Sequence, residues 1–226
     1  AAEFIFSVLS TGAPDHIVID DVTITQGGTI PDASIYDIQF TTIPNGDSPL
    51  NGQTVNTGGI VTASYADAYY IQSGSDAWRG VYVYDNFSLP LVGDSVTLTA
   101  TVSEFNNLTE LSGITNFTVV SSGNPVPAAL NITTQEVNEE ALEGVLVRVT
   151  NATCTEEPGG ANFGKWKADD GSGFAWVGKE IYETTPAPLL GQVYDVTGVV
   201  SYSFALYGIQ PRDANDITLI TGVEEN

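Results

Sequence analysis

Gly93-Asp94-Ser95-Val96-Thr97-Leu98-Thr99-Ala100-Thr101-Val102-Ser103 recurs 98 residues later as Gly191-Gln192-Val193-Tyr194-Asp195-Val196-Thr197-Gly198-Val199-Val200-Ser201, without a gap. Both copies intersperse β-branched and aromatic residues with small and polar ones, as a strand with one buried face does. The same shift pairs Leu108 with Leu206 and Leu111 with Ile209. Five of nineteen positions are then identical, and they fall where a strand buries alternate residues. Likeness at one fixed spacing means that a single structural unit was used twice.

Outward from these two anchors the chain divides into a first module over residues 31–127 and a second over 128–221. In the first, Tyr36-Asp37-Ile38-Gln39, Gln53-Thr54-Val55, Gly59 to Ala63, Tyr69 to Gln72, Gly80 to Tyr84, Ser95 to Val102 and Phe117 to Val120 read as short strands separated by turns. Pro125-Val126-Pro127 marks the boundary. In the second, Thr133 and Glu136 form a capping box for a short helix through Leu142, stopped by Gly144. Strands follow at Val145 to Val149, Phe163 to Ala168, Gly173 to Val177, Val193 to Val200 and Asp216 to Ile220. Many short strands at even spacing make a barrel or a sandwich. The expected fold class is all-β.

A chain of 226 residues is long enough for two modules of about 100 residues that each bury a core. Six Lys and Arg stand against 28 Asp and Glu, a formal charge of −22. That sign repels phosphate backbones and anionic lipid, so nucleic acid is not an expected partner. No apolar run reaches the roughly 18 residues that cross a bilayer, so membrane insertion is not expected either. A hydrophobic content of 42% places the charge on the surface of a folded protein. Cys154 is the sole cysteine, which leaves no intrachain disulfide.

Residues 1–30 hold two further strand patterns, Glu3 to Leu9 and His16 to Thr25, before Gly27-Gly28 and Pro31. Two strands do not make a stable domain alone and need a sheet from elsewhere. Their apolar positions, Phe4, Ile5, Phe6, Val8, Ile17, Ile19, Val22 and Ile24, are therefore candidates for self-assembly by strand donation. Ile19-Asp20-Asp21-Val22-Thr23-Ile24 also resembles the last strand of secreted jelly-roll modules.

The order Leu50-Asn51-Gly52-Gln53-Thr54-Val55, Gly59-Ile60-Val61-Thr62, Tyr70-Ile71-Gln72, Gly80-Val81-Tyr82-Val83-Tyr84, Val92-Gly93-Asp94-Ser95-Val96 and Phe105 to Leu111 resembles the OB-fold modules of secreted bacterial proteins. The ending Tyr207-Gly208-Ile209-Gln210-Pro211-Arg212-Asp213-Ala214-Asn215-Asp216-Ile217 is similar to the ending of the same modules. The resemblance implies two consecutive OB-like β-barrels, preceded by the N-terminal strand segment. Such modules occur in Bacteroidetes-type surface proteins and upstream of the catalytic domains of extracellular nucleases, and no such catalytic domain is present. The tail 222–226 resembles a linker before a secretion-sorting domain. An extracellular or cell-surface location follows from the resemblance, with any export signal already removed before Ala1. Asp94-Ser95-Val96 matches the O-glycosylation pattern of such proteins, which makes Ser95 a candidate glycosylation site. Asn86, Asn107, Asn116, Asn131 and Asn151 head Asn-x-Ser/Thr triplets.

The residues offer no recognisable catalytic site. A hydrolytic triad needs a base, and His16 is the only histidine. Asp20-Asp21, Glu139-Glu140, Glu156-Glu157, Asp169-Asp170 and Glu224-Glu225 are carboxylate pairs, but adjacent strand residues point to opposite faces and the others read as solvated loops. Calcium is the one cofactor for which candidates exist, Asp169, Asp170, Asp213 and Asp216, because hard cations take loop oxygens. Tyr65, Tyr69, Tyr70, Trp78, Tyr82 and Tyr84 are available for stacking, whereas Lys165-Trp166-Lys167 is the one basic aromatic cluster. A carbohydrate platform tolerates the negative charge. Two readings remain, both non-enzymatic. One is a secreted surface protein that assembles with itself head to tail into a fibre or layer through its N-terminal strands. The other is an accessory binding or spacer region of a larger secreted hydrolase such as a nuclease.

Overall fold

The structure, a computed structural model, describes residues 29–221. The proposed self-assembly positions from Phe4 to Ile24, His16 and the tail 222–226 lie outside these residues.

The described chain opens on a correction. Tyr36-Asp37-Ile38-Gln39 is not a strand but part of helix α1 (Ile35–Gln39). The Ser34 hydroxyl accepts from the Asp37 amide at 3.2 Å and the Asp37 carboxylate accepts from the Ser34 amide at 3.1 Å. This capping box fixes a helical start, and Ile35 and Ile38, three apart, are both buried.

The first barrel follows as β1 (Thr54–Tyr65), β2 (Ala68–Gln72), β3 (Gly80–Tyr84), β4 (Ser95–Phe105) and β5 (Leu108–Ser121). The two strands expected at 53–55 and 59–63 are one, bent by a register shift between Val61 and Ala63. The ring closes in the order β1-β2-β3-β5-β4.

The second module begins with β6 (Leu130–Asn131) and continues as β7 (Leu146–Glu156), β8 (Trp166–Asp169), β9 (Phe174–Val177), β10 (Val193–Ser203), β11 (Leu206–Gln210) and β12 (Ile217–Leu219). A pairing of β10 with β7 closes β7-β8-β9-β11-β10 into a ring of the same order as the first. Each ring contains one parallel pair: Val83 faces Leu111 in the first and Val177 faces Ile209 in the second. Leu111 and Ile209 are the two residues that the 98-residue shift aligned. The chain is thus all-β and OB-like, with one barrel topology used twice.

The helix expected from Thr133 is two 3-10 turns, Glu136–Asn138 and Glu140–Leu142, separated at the extended Glu139. The Thr133–Glu136 box does form, since the Thr133 amide donates to the Glu136 carboxylate at 2.7 Å and the Glu136 amide to the Thr133 hydroxyl at 3.3 Å. The first barrel satisfies carbonyls at the end of this segment that a helix stopping at Leu142 would leave free. Ala141 accepts from the Trp78 amide at 2.7 Å, and Glu143 accepts from Gln39 Nε2 at 3.3 Å.

Each barrel has its own core, around Trp166, Val196 and Ile209 in one and around Tyr69, Ile71 and Leu111 in the other. A third apolar cluster of Ala63, Tyr70, Leu146 and Val199 lies between them. Around it, buried Gln72 accepts from the Leu146 amide at 2.7 Å and Gln39 donates to the Gly80 carbonyl at 2.7 Å. Gly80 and Gly144 touch backbone to backbone: a Cβ on Gly144 would stand 2.7 Å from the Gly80 carbonyl carbon, and one on Gly80 would fall onto the Gly144 carbonyl. All five residues of β2 are buried because one face serves the core and the other serves this contact.

Candidate functional site

The contact between the barrels leaves a cleft of about 860 Å³ along one margin. Three hairpins and β3 build it. The β1–β2 turn contributes Tyr65, β3 contributes Tyr82 and Tyr84, the β4–β5 hairpin contributes Phe105 to Leu108, and the β10–β11 hairpin contributes Tyr202 to Ala205. The loops joining strands 1 to 2 and 4 to 5 are those that carry ligands in OB barrels. Here two such loops come from the first barrel and one from the second.

The two β4–β5-type hairpins are equivalent in fold and unequal in chemistry. Phe105 pairs with Leu108 across Asn106-Asn107, at φ +53° and +68°. Ser203 pairs with Leu206 across Phe204-Ala205, at φ +52° and +61°. Two left-handed residues in a two-residue loop suit Asn or Gly, and asparagine fills both places in the first barrel. Phe and Ala carry a steric cost there. That cost sets a Phe204 ring 92% exposed at the cleft mouth.

Inside, the Tyr82 ring meets Tyr70 edge to face at 5.2 Å and Tyr202 lies 4.7 Å from Tyr207, so the walls are fixed by packing. Burial raises the Tyr65 and Tyr82 phenols well above their usual range, and both stay protonated donors. Two carboxylates reach the cleft. Glu110 accepts from the Ser103 hydroxyl at 3.2 Å, and burial pushes its carboxyl up. Glu180 accepts from the Ser203 hydroxyl at 3.3 Å.

The aromatic candidates separate cleanly. Tyr65, Tyr82 and Tyr84 come together in the cleft, whereas Tyr69 and Tyr70 are buried and Trp78 packs edge-on against Phe40 at 5.6 Å. The expected basic aromatic cluster does not exist as one surface, because Trp166 points into the core and only its neighbours Lys165 and Lys167 face out. Lys167 lies over the Phe174 and Trp176 rings at 4.5 and 4.7 Å and pairs with Glu156 at 2.8 Å.

The calcium candidates are engaged with the protein. The Asp170 carboxylate, against the cost of burial, is held down to about 2 by hydrogen bonds from Ser172 and Thr134, and Asp169 accepts from the Gly171 amide at 2.7 Å. Asp213 caps the short turn before β12, and both Asp216 oxygens accept from Arg212 at 2.8 Å. Among the described residues no group of three or more His, Cys, Asp or Glu gathers as a metal site would. Ser95 starts β4, partly exposed, and the five triplet asparagines are exposed. Cys154 is buried, and burial raises its thiol. No described helix is long and apolar enough to cross a membrane.

Sequence reasoning missed an interfacial carboxylate cluster. Glu143 is 1% exposed, with one oxygen accepting from the Thr109 amide at 2.9 Å and the other without a partner among the described residues. Burial first, then the Glu140 charge, pushes its carboxyl well above the usual range. Glu140 accepts from the Tyr207 hydroxyl at 2.5 Å, and Glu104 accepts from Ser48 and Thr109. No local pattern joins residues 104, 140 and 143. The paired hairpins, by contrast, were accessible, since the 98-residue shift lays Asn106-Asn107 on Phe204-Ala205.

No family model matches the chain, and no curated protein matches it. Among solved structures the chain is similar to the crystal structure of the p204 HINb domain, at 10% identity and a TM-score of 0.35, over 75% of this chain and 97% of that one. The expectation that nucleic acid is not a partner rested on net charge alone and is withdrawn. A net charge sums the whole surface and does not decide what one site takes. Nucleic acid therefore stands among the ligands to be assayed.

Proposed function

We propose that this chain is a non-catalytic, extracellular binding module of the tandem OB-fold kind found in secreted Bacteroidetes-type proteins, and that it seats a ring-bearing ligand such as a carbohydrate in the cleft between its barrels. The observation that carries this reading is the strained Phe204-Ala205 turn, which holds a bare aromatic ring at the mouth of a cleft walled by tyrosines. Flat sugar faces stack on such rings, and a volume of about 860 Å³ falls in the range of ligand sites. A role as accessory region of a larger secreted hydrolase is compatible with this reading. The test is calorimetric titration with soluble glycans on the wild type and on Phe204→Ala. Binding that weakens about tenfold in the variant supports the cleft, while equal affinity in both removes it.

A second reading, head-to-tail assembly, draws on a different observation. Among the described residues, 114–121 of β5 pair with β4 on one side only, and Val119 and Val120 there are 42% and 60% exposed. An unpaired apolar edge accepts a further strand. The glycine surface by which the first barrel meets the second is not repeated on the second barrel. Gly80, which permits the approach of Gly144, corresponds through the strand registers to Phe174 in the second barrel. Light scattering of the chain with and without residues 1–30 decides. Assembly that needs this segment supports strand donation, and a monomer in both cases refutes it.

A further inference from the structure

We infer that the cleft between the barrels takes an organic ammonium group, an inference that rests on the binding reading above and narrows it to amine-bearing ligands. Three features converge. First, the rings of Tyr65, Tyr82 and Tyr84 line one wall, and an aromatic face attracts a desolvated cation. Elsewhere this chain satisfies such faces itself: Arg79 lies 4.9 Å from the centre of the Tyr36 ring and Lys167 covers Phe174 and Trp176. Among the described residues the three cleft tyrosines have no such partner.

Second, the acidic side chains that line the cleft are Glu110 and Glu180, with no Lys or Arg among the described lining residues. Asp67, at the β1–β2 turn, adds negative charge close enough to act on the Tyr65 and Tyr82 phenols. Lys165 is outside the lining, with its Nζ 3.4 Å from the Ser203 hydroxyl that donates to Glu180. Third, Glu110 is half-buried beside Glu104 and, among the described residues, receives one side-chain hydrogen bond, from the uncharged Ser103. A carboxylate drawn out of water and left without a cation gains most from a ligand that supplies one. An anionic ligand meets repulsion from Glu110 and Glu180, and a neutral one leaves Glu110 as it is.

Amino-sugar amines and alkylated ammonium groups share this chemistry, and the test separates them. The intact chain is titrated calorimetrically with a glucosamine oligomer, with its N-acetylated counterpart and with choline. The expected result is that the free-amine oligomer, choline or both bind about tenfold or more tighter than the acetylated oligomer. Glu110→Gln should abolish that preference and Tyr82→Ala should weaken binding. Tyr82→Phe, which keeps the ring, should bind close to wild type and shows that the fold is intact. If the acetylated oligomer binds as well as the amine and Glu110→Gln changes nothing, the ammonium inference fails while the cleft reading stands. If no probe binds, or if binding ignores both Tyr82→Ala and Glu110→Gln, the two fail together.

Discussion

Replacing Phe204-Ala205 by Asn-Gly separates what the β10–β11 turn costs from what it does. Both residues sit in the left-handed region, at φ +52° and +61°, where a side chain other than Asn or Gly costs about 1–2 kcal/mol per residue. Phe204 is 92% exposed, so losing its ring removes little buried surface. Asn-Gly is the favoured pair for this turn, and the flexibility that glycine adds to the unfolded chain takes back about 0.4–1 kcal/mol. The net expectation is a gain of about 1–3 kcal/mol, each kcal/mol worth about 2–4 °C in melting temperature for a chain of this size. The same variant should lose cleft binding. Thermal unfolding by circular dichroism and a parallel titration give both numbers. A lower melting temperature would refute the strain argument, and unchanged affinity would refute the role of Phe204.

Three further outcomes follow from the interface. Glu143 has a folded-state pKa above its unfolded value, so its full contribution is present below about pH 4.5 and is lost as pH rises toward the folded value, at up to ~1.4 kcal/mol per pH unit. Glu143→Gln should flatten the decline of stability between pH 4.5 and 8 in urea unfolding. It should not abolish that decline, because Glu104, Glu110 and Glu140 are shifted in the same direction; an unchanged slope would contradict the assignment. Gly80→Ala drives a methyl group into the Gly144 carbonyl and should cost about 2–3 kcal/mol by the same assay. Gly52→Ala, at φ +82° with open space around it, should cost only about 1 kcal/mol, and equal losses would mean that the close approach is not what matters. Arg212→Ala, which breaks the pair with Asp216 and the 3.2 Å bond to the Thr62 carbonyl, should destabilise by about 3 kcal/mol, because Asp216 is then left buried and unpaired.

The repeat was the most legible feature. Alternation in Ser95–Val102 and its copy reports a half-buried strand, and the shift placed Leu111 and Ile209 at equivalent ladder positions because a barrel with one topology must bury the same places. Tyr36–Gln39 misled because four residues are too few to show a period, and the decisive signal was the Ser34–Asp37 cap one step upstream. The docking of the barrels was not readable. Gln39, Gln72, Gly80 and Glu143 are ordinary residues until a second barrel approaches and makes their donors, acceptors or missing Cβ matter. The cleft was legible in part. Tyr65, Tyr82 and Tyr84 stood among six aromatic candidates, but strand registers decide which rings face solvent, and burial removed Tyr69 and Tyr70 from the set.

The most direct measurement is amide chemical-shift mapping of the labelled chain during titration with the glucosamine oligomer. Ligand between the barrels should move Tyr65, Tyr82, Glu110 and the turns at 106–107 and 204–205 together, from both modules at once. Shifts confined to the open β8–β9 face around Lys167 and Trp176, with these residues unmoved, would contradict the cleft as the site.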